Sequence, residues 1–101
     1  MRSEKTRDLV TVYLEGELDH HGADRIRREM DRLLEDLKVK HLLIDMSMMP
    51  FMDSSGIGVI LGRYRQLAAR GGTVAVRGMN AQVKRIFTLS GMGQIIRVAE
   101  K

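Results

Sequence analysis

The hydrophobic period of this chain switches repeatedly between two residues and about 3.6, and that alternation restricts the folds open to it. From Leu9 to Glu15, Val10, Val12 and Leu14 fall on one side and Thr11, Tyr13 and Glu15 on the other, which predicts a half-buried strand. From Ala23 the period lengthens. Ile26, Met30, Leu33, Leu34 and Leu37 share one helical face, while Asp24/Arg28, Arg25/Glu29 and Arg32/Asp36 are spaced as charge pairs on the others. A second strand, roughly Leu42 to Met46, leads through Asp53-Ser54-Ser55 to a helix on which Ile57, Ile60, Leu61, Tyr64, Leu67 and Ala68 share a face. Gly71-Gly72 stops that helix. Thr73 to Arg77 forms a third strand, Ala81 to Leu89 a third helix carrying Val83, Ile86 and Phe87, and Ile95 to Val98 a last short strand. Strand and helix alternating in this way define an α/β fold with a largely parallel sheet and right-handed crossovers. Because several strands alternate instead of being apolar throughout, the helices should cover mainly one face, which argues against a doubly wound fold.

One core is all that 101 residues with 44 % hydrophobic content can form, so a single domain over residues 1–101 is expected. There is no cysteine, which removes disulfides, thiol nucleophiles and thiolate metal sites. The start, Met1-Arg2-Ser3-Glu4-Lys5-Thr6-Arg7, is too polar for a signal peptide, and no apolar run approaches membrane-spanning length. These features suit a reducing, cytoplasmic compartment without a membrane. The net charge of +4 comes from seventeen Lys and Arg interleaved with thirteen Asp and Glu, and the two Tyr and two Phe are not flanked by basic residues. A nucleic-acid footprint is therefore missing.

Consecutive parallel strands end at one edge of their sheet, so the loops Gly16–Gly22, Ser47–Ser54 and Arg77–Asn80 should cluster there. Asp19, His20, His21, Asp53, Ser54 and Arg77 become candidate neighbours. A hydrolase would take Ser54 or Ser55 as nucleophile and a histidine as base, but Met52 stands near the point where a G-x-S-x-G elbow needs its glycine. The adjacent histidines lack the further ligands a metal would want. Gly56-Ile57-Gly58-Val59-Ile60-Leu61-Gly62 misses the dinucleotide fingerprint by one residue. No cofactor is implied. Gly58 and Gly62 lie four apart on one helix, at a propensity cost of about 1 kcal/mol each, so a packing gain against some backbone should offset it.

Asp53, Ser54 and Ser55 stand where a helix begins. The first turn has unpaired N–H groups and a partial positive charge, so these residues are either plain caps or a place where a phosphate is well tolerated.

The runs Gly16-Glu17-Leu18-Asp19-His20-His21 and Phe51-Met52-Asp53-Ser54-Ser55-Gly56 through Tyr64, followed by Gly71-Gly72, Val83-Lys84-Arg85-Ile86-Phe87 and Ser90-Gly91, resemble the anti-sigma factor antagonists, above all the sporulation anti-anti-sigma factors. The resemblance covers nearly the whole chain. It implies a STAS domain, a mixed and mostly parallel sheet of about four to five strands with helices mainly on one face. The family's first strand maps onto the polar start, and relatives often carry a further C-terminal helix. It further implies a protein that is not an enzyme, binds an anti-sigma factor with serine kinase activity and thereby releases a sporulation sigma factor. ATP or ADP would be held on that partner. Ser54 would be the phosphorylated residue, and a serine phosphatase would reverse the modification. Partner contacts are expected at Asp19, His20, His21, Met52, Asp53, Ser55 and Gly56, with Arg63, Arg77 and Lys84 as further candidate contacts. The alternative within the same fold is a STAS interaction module of another signalling or lipid-transport assembly.

Overall fold

A computed structural model describes residues 1–99. Its elements run β1 (Arg2–Thr6), β2 (Leu9–Glu15), α1 (His20–Leu33), β3 (His41–Met48), α2 (Ser54–Ala68), β4 (Thr73–Arg77), α3 (Ala81–Leu89), a short 3-10 turn (Met92–Gln94) and β5 (Arg97–Val98). The five strands lie in sequence order, with β1 antiparallel to β2 and every later pair parallel. A sheet laid down strand by strand with right-handed crossovers puts every helix on the same face. Burial agrees. Val10, Val12 and Leu14, Leu42, Ile44 and Met46, and Val74 and Val76 are buried on the helix side, where they join Ile26, Met30 and Leu34 of the α1 segment, Val59, Ile60 and Leu67 of α2, and Val83 and Phe87 of α3. Each such side chain contributes about 1.5–3 kcal/mol. The opposite face carries His41, Asp45, Tyr13 and Arg77 and stays partly wet.

The polar start forms β1, paired residue for residue with β2 from Arg2↔Tyr13 to Thr6↔Leu9, although all five of its residues are exposed. Alternating hydrophobicity cannot announce a strand that buries no side chain. It is held by the ladder and by its turn, where Arg7 takes φ 56°.

Several details differ from the periodic reading, β3 among them, which runs from His41 to Met48. α1 begins at His20 because Asp19 caps it, and it ends at Leu33, so Leu37 lies beyond the helix and is 70 % exposed. Of the spaced charge pairs, Asp24–Arg28 forms, whereas Asp36 lies outside the helix and pairs with Lys5. The buried line of α2 runs through Gly56, Val59, Ile60, Arg63 and Leu67, leaving Ile57, Leu61 and Tyr64 half-buried and Ala68 exposed. A glycine and an arginine on that line masked it from a hydrophobicity count. At the end, only Arg97–Val98 pairs as strand, because Ile95 belongs to the preceding turn.

Gly71 stops α2 with φ 76°, the left-handed C-cap conformation. Gly58 and Gly62 answer differently from expectation. Among the described residues a Cβ at either would meet nothing within 4 Å outside its own helix, so the protein's own sheet is not the backbone that offsets them. Gly58→Ala and Gly62→Ala should each raise stability by about 0.5–1 kcal/mol through helix propensity. Gly56→Ala should lower it by about 1–3 kcal/mol through overpacking, because its Cβ would fall 2.7 Å from Met52 Sδ and 3.0 Å from Leu18 Cδ2. Urea denaturation of the three variants separates the two signs.

Candidate functional site

Each of the first three parallel strands leaves the sheet at the same edge and turns directly into a capped helix. Asp19 Oδ1 accepts from the N–H groups of His21 (3.1 Å) and Gly22 (3.0 Å), Asp53 Oδ1 from Ser55 N–H (2.8 Å), and Asn80 Oδ1 from Val83 N–H (2.8 Å). The turns are also stitched to one another. Leu18 N–H donates to Phe51 O (3.0 Å), Asp53 N–H donates to Leu18 O (3.3 Å), and Leu18 and Met52 form a parallel bridge. From the third turn, the Gln82 side chain donates to Met52 O and accepts from Met52 N–H, both at 3.1 Å, and Asn80 Nδ2 donates to Pro50 O at 3.1 Å. A register shift between Tyr13 and Glu15 lies just before the first turn, and bulges of this kind re-aim a strand as it leaves its ladder.

This brings Asp19, His20, His21, Asp53, Ser54 and Ser55 to one edge. Ser54 is the first residue of α2 and is exposed, Ser55 is half-buried, and both histidines are exposed with ring centroids 4.1 Å apart. Met52 and Gly56 belong to the same turn but lie beneath it. Met52 is fully buried and Gly56 sits against it, so they form the floor of the site and not its contact surface.

The two arginines are placed otherwise. Arg63 lies in the α1–α2 interface with a side chain only 10 % exposed, its Nε 3.1 Å from Asp31 Oδ1. Among the described residues its Nε and Nη1 nonetheless find no aligned acceptor, and burial lowers the guanidinium pKa. A charge so enclosed is a packing element of the helices, and it does not reach the edge surface. Arg77 lies on the helix-free face, where its Nε donates to Asp45 Oδ2 at 2.8 Å and its guanidinium stands 5.9 Å from the Tyr13 ring centre. Lys84, in α3, is exposed.

Four further residues shape the edge. Asn80 and Gln82 brace the Ser54 turn, and Met48 (64 % exposed), the last residue of β3, and Phe51 (39 %), in the loop after it, put apolar surface in the segment that precedes it. Apolar residues beside Pro50 in a hydroxyl-bearing turn were the available signal for the latter pair; nothing in the spacing pointed to the amides. Among the described residues neither serine hydroxyl meets an imidazole or carboxylate at hydrogen-bond distance, and no group of three or more His, Asp or Glu could hold a metal ion.

The carboxylates are tuned by these contacts. The Gly22 N–H holds Asp19 below its usual pKa, with His21 N–H adding to the effect against desolvation. Burial disfavours ionisation of Asp45, but hydrogen bonds from Ser47 and Arg77 outweigh it and the net shift is downward. A group whose folded pKa is depressed stabilises the fold above its unfolded pKa and loses that contribution as pH falls through the folded value. Stability should therefore be level near neutrality and fall below about pH 4. Asp19→Asn keeps a cap oxygen but cannot ionise, so acid titration followed by circular dichroism should show a shallower loss in that variant. Asp53→Ala removes the α2 cap and should cost about 1 kcal/mol at neutral pH.

The STAS domain family model matches residues 1–101. The anti-sigma F factor antagonist of Paenibacillus polymyxa is 40 % identical over 95 residues, covering 94 % of this chain and 81 % of that protein. Among solved structures, the anti-sigma factor antagonist SpoIIAA in its unphosphorylated form superposes with a TM-score of 0.85 at 34 % identity, covering 99 % of this chain and 88 % of that one. The Bacillus cell fate determinant SpoIIAA in the phosphorylated form gives 0.77 at 33 % identity, covering 99 % and 91 %. With its mixed five-stranded sheet, one-sided helices and capped serine turn, this chain is a STAS domain and belongs to the anti-sigma factor antagonists.

Proposed function

We propose that this antagonist is a partner switch whose unphosphorylated form binds an anti-sigma factor with serine kinase activity and whose off state is phosphorylated on Ser54. The observation that carries this reading is that Ser54 is exposed at the first position of α2, directly after the Asp53 cap, in a segment that also exposes Met48 and Phe51. Exposed apolar side chains in the segment that leads to the serine suit a partner that covers this stretch of chain. In the transfer, the Ser54 oxygen forms a bond to the γ-phosphorus of ATP held on the partner, the bond to ADP breaks, and the hydroxyl proton passes to the partner's base. A serine phosphatase returns the protein to its binding form by hydrolysis. The related SpoIIAA exists in unphosphorylated and phosphorylated forms, which supports a serine switch here. The sigma factor released is a sporulation factor in this reading, and the exchange takes place in the cytoplasm. Among the described residues no helix is long and apolar enough to cross a membrane.

The physics of the switch follows from the site. Phosphorylation adds about −1.5 to −2 charge at a helix N-terminus, where free N–H groups and the dipole accept it, so the fold need change little. At the interface the same group must be desolvated next to the Asp19 and Asp53 caps, which costs several kcal/mol. Each 1.4 kcal/mol is tenfold in affinity.

Incubation with a sporulation-type anti-sigma kinase and ATP should add one phosphoryl group on Ser54, located by peptide mass spectrometry and missing from Ser54→Ala. Ser54→Ala should still bind that partner, while Ser54→Asp should bind about tenfold or more weakly. Undiminished binding by the fully phosphorylated protein would overturn the repulsion mechanism.

A further inference from the structure

The turns that open α1 and α2 are near copies of one another. Leu18-Asp19-His20-His21-Gly22 and Met52-Asp53-Ser54-Ser55-Gly56 share the pattern apolar, Asp, two variable residues, Gly. Their caps have matching backbones, φ −105° and ψ −175° at Asp19 against φ −113° and ψ −168° at Asp53. With Leu18 and Met52 bridged in parallel, His20 begins α1 as Ser54 begins its neighbour. The face on which His20 lies is fixed by helical spacing. Residues 20, 27 and 31 share one side of α1, and Asp31 on that side meets Arg63 of α2. His20 is thus on the flank turned toward the Ser54 helix, with the His21 ring tilted against it at 36°.

Packed helices lie about 8–10 Å apart, a gap that an imidazole from one side and a phosphoserine from the other can close. The charges around that gap are mostly negative. Glu17 and Asp19 precede α1, Asp53 precedes α2, and Asp24, one turn further on, is committed to Arg27 and Arg28. In the segments Gly16–Gly22 and Ser47–Gly56 the two histidines are the only side chains able to carry positive charge.

We propose that His20, backed by His21, is the intramolecular partner of the phosphate on Ser54, donating a charge-assisted hydrogen bond to a phosphate oxygen across the α1–α2 gap. This rests on Ser54 being the phosphorylated residue. The contact exists only in the modified protein, so it stabilises the off state without touching the binding form's fold. It also gives the histidines, which stand at the exposed edge, a different arrangement in the two states.

The test uses the full chain with phosphoserine incorporated at position 54 during synthesis, which makes it independent of any kinase. Phosphorus NMR across pH 4–9 reads the second ionisation of the phosphate, near pH 6 in an unassisted phosphoserine. In the wild-type background the ionisation constant should be about threefold or more larger than in His20→Gln, half a unit of midpoint or more. His20→Lys, which restores a cation, should bring the midpoint back toward wild type. Superimposable curves for wild type and His20→Gln would overturn the proposal, as would a larger shift from His21→Gln than from His20→Gln. Failure of an anti-sigma kinase to modify Ser54 would instead count against the switch on which the proposal rests and would leave the phosphorus titration unchanged.

Discussion

The site depends on a pair of backbone hydrogen bonds between two turns, Leu18 N–H to Phe51 O and Asp53 N–H to Leu18 O. They carry the β2–β3 pairing past the end of the sheet proper and fix where α1 and α2 begin. Leu18 and Met52, both fully buried, anchor the crossing from below, and Gly56 leaves room for them. Because the caps Asp19 and Asp53 each follow directly on one of these anchored residues, the exposed Ser54 is held by groups that are themselves not exposed. A phosphate added there meets a support that is already rigid, and the response falls on whatever lies against the surface.

The fold was readable wherever one side of an element had to be apolar. β2, β4 and α3 have the limits their periods predicted, since Val10, Val12 and Leu14, or Val74 and Val76, can satisfy the pattern only one way. The reading failed where burial was carried by residues that hydrophobicity does not count. Gly56 and Arg63 occupy the buried line of α2, and β1 buries nothing. The start of α1 was misplaced because two histidines after an aspartate look like loop until the carboxylate is seen to cap the chain.

The edge cluster itself followed from topology, because parallel strands must exit together. The placement of the two arginines did not follow, and for a common reason. An arginine in a sequence carries no mark of where its carboxylate is, and both Arg63 and Arg77 had one across the fold, Asp31 and Asp45. Those partners are 32 residues away in each case, beyond any local pattern. Among the described residues His20 and His21 have no such partner, and both stand at the surface.

β1 shows what a strand without buried side chains means for the rest. Its hold on the domain is a hydrogen-bond ladder to β2 and the contacts of its own charged side chains, such as Tyr13 Oη donating to Glu4 and the Lys5–Asp36 ion pair. Releasing it uncovers the outer edge of β2 but leaves the helix-covered core closed, so its opening is a local event with a free energy well below that of global unfolding. Its side chains are correspondingly free to drift in evolution so long as they stay charged or polar, since that polarity keeps the open edge of the sheet from recruiting a strand of another molecule.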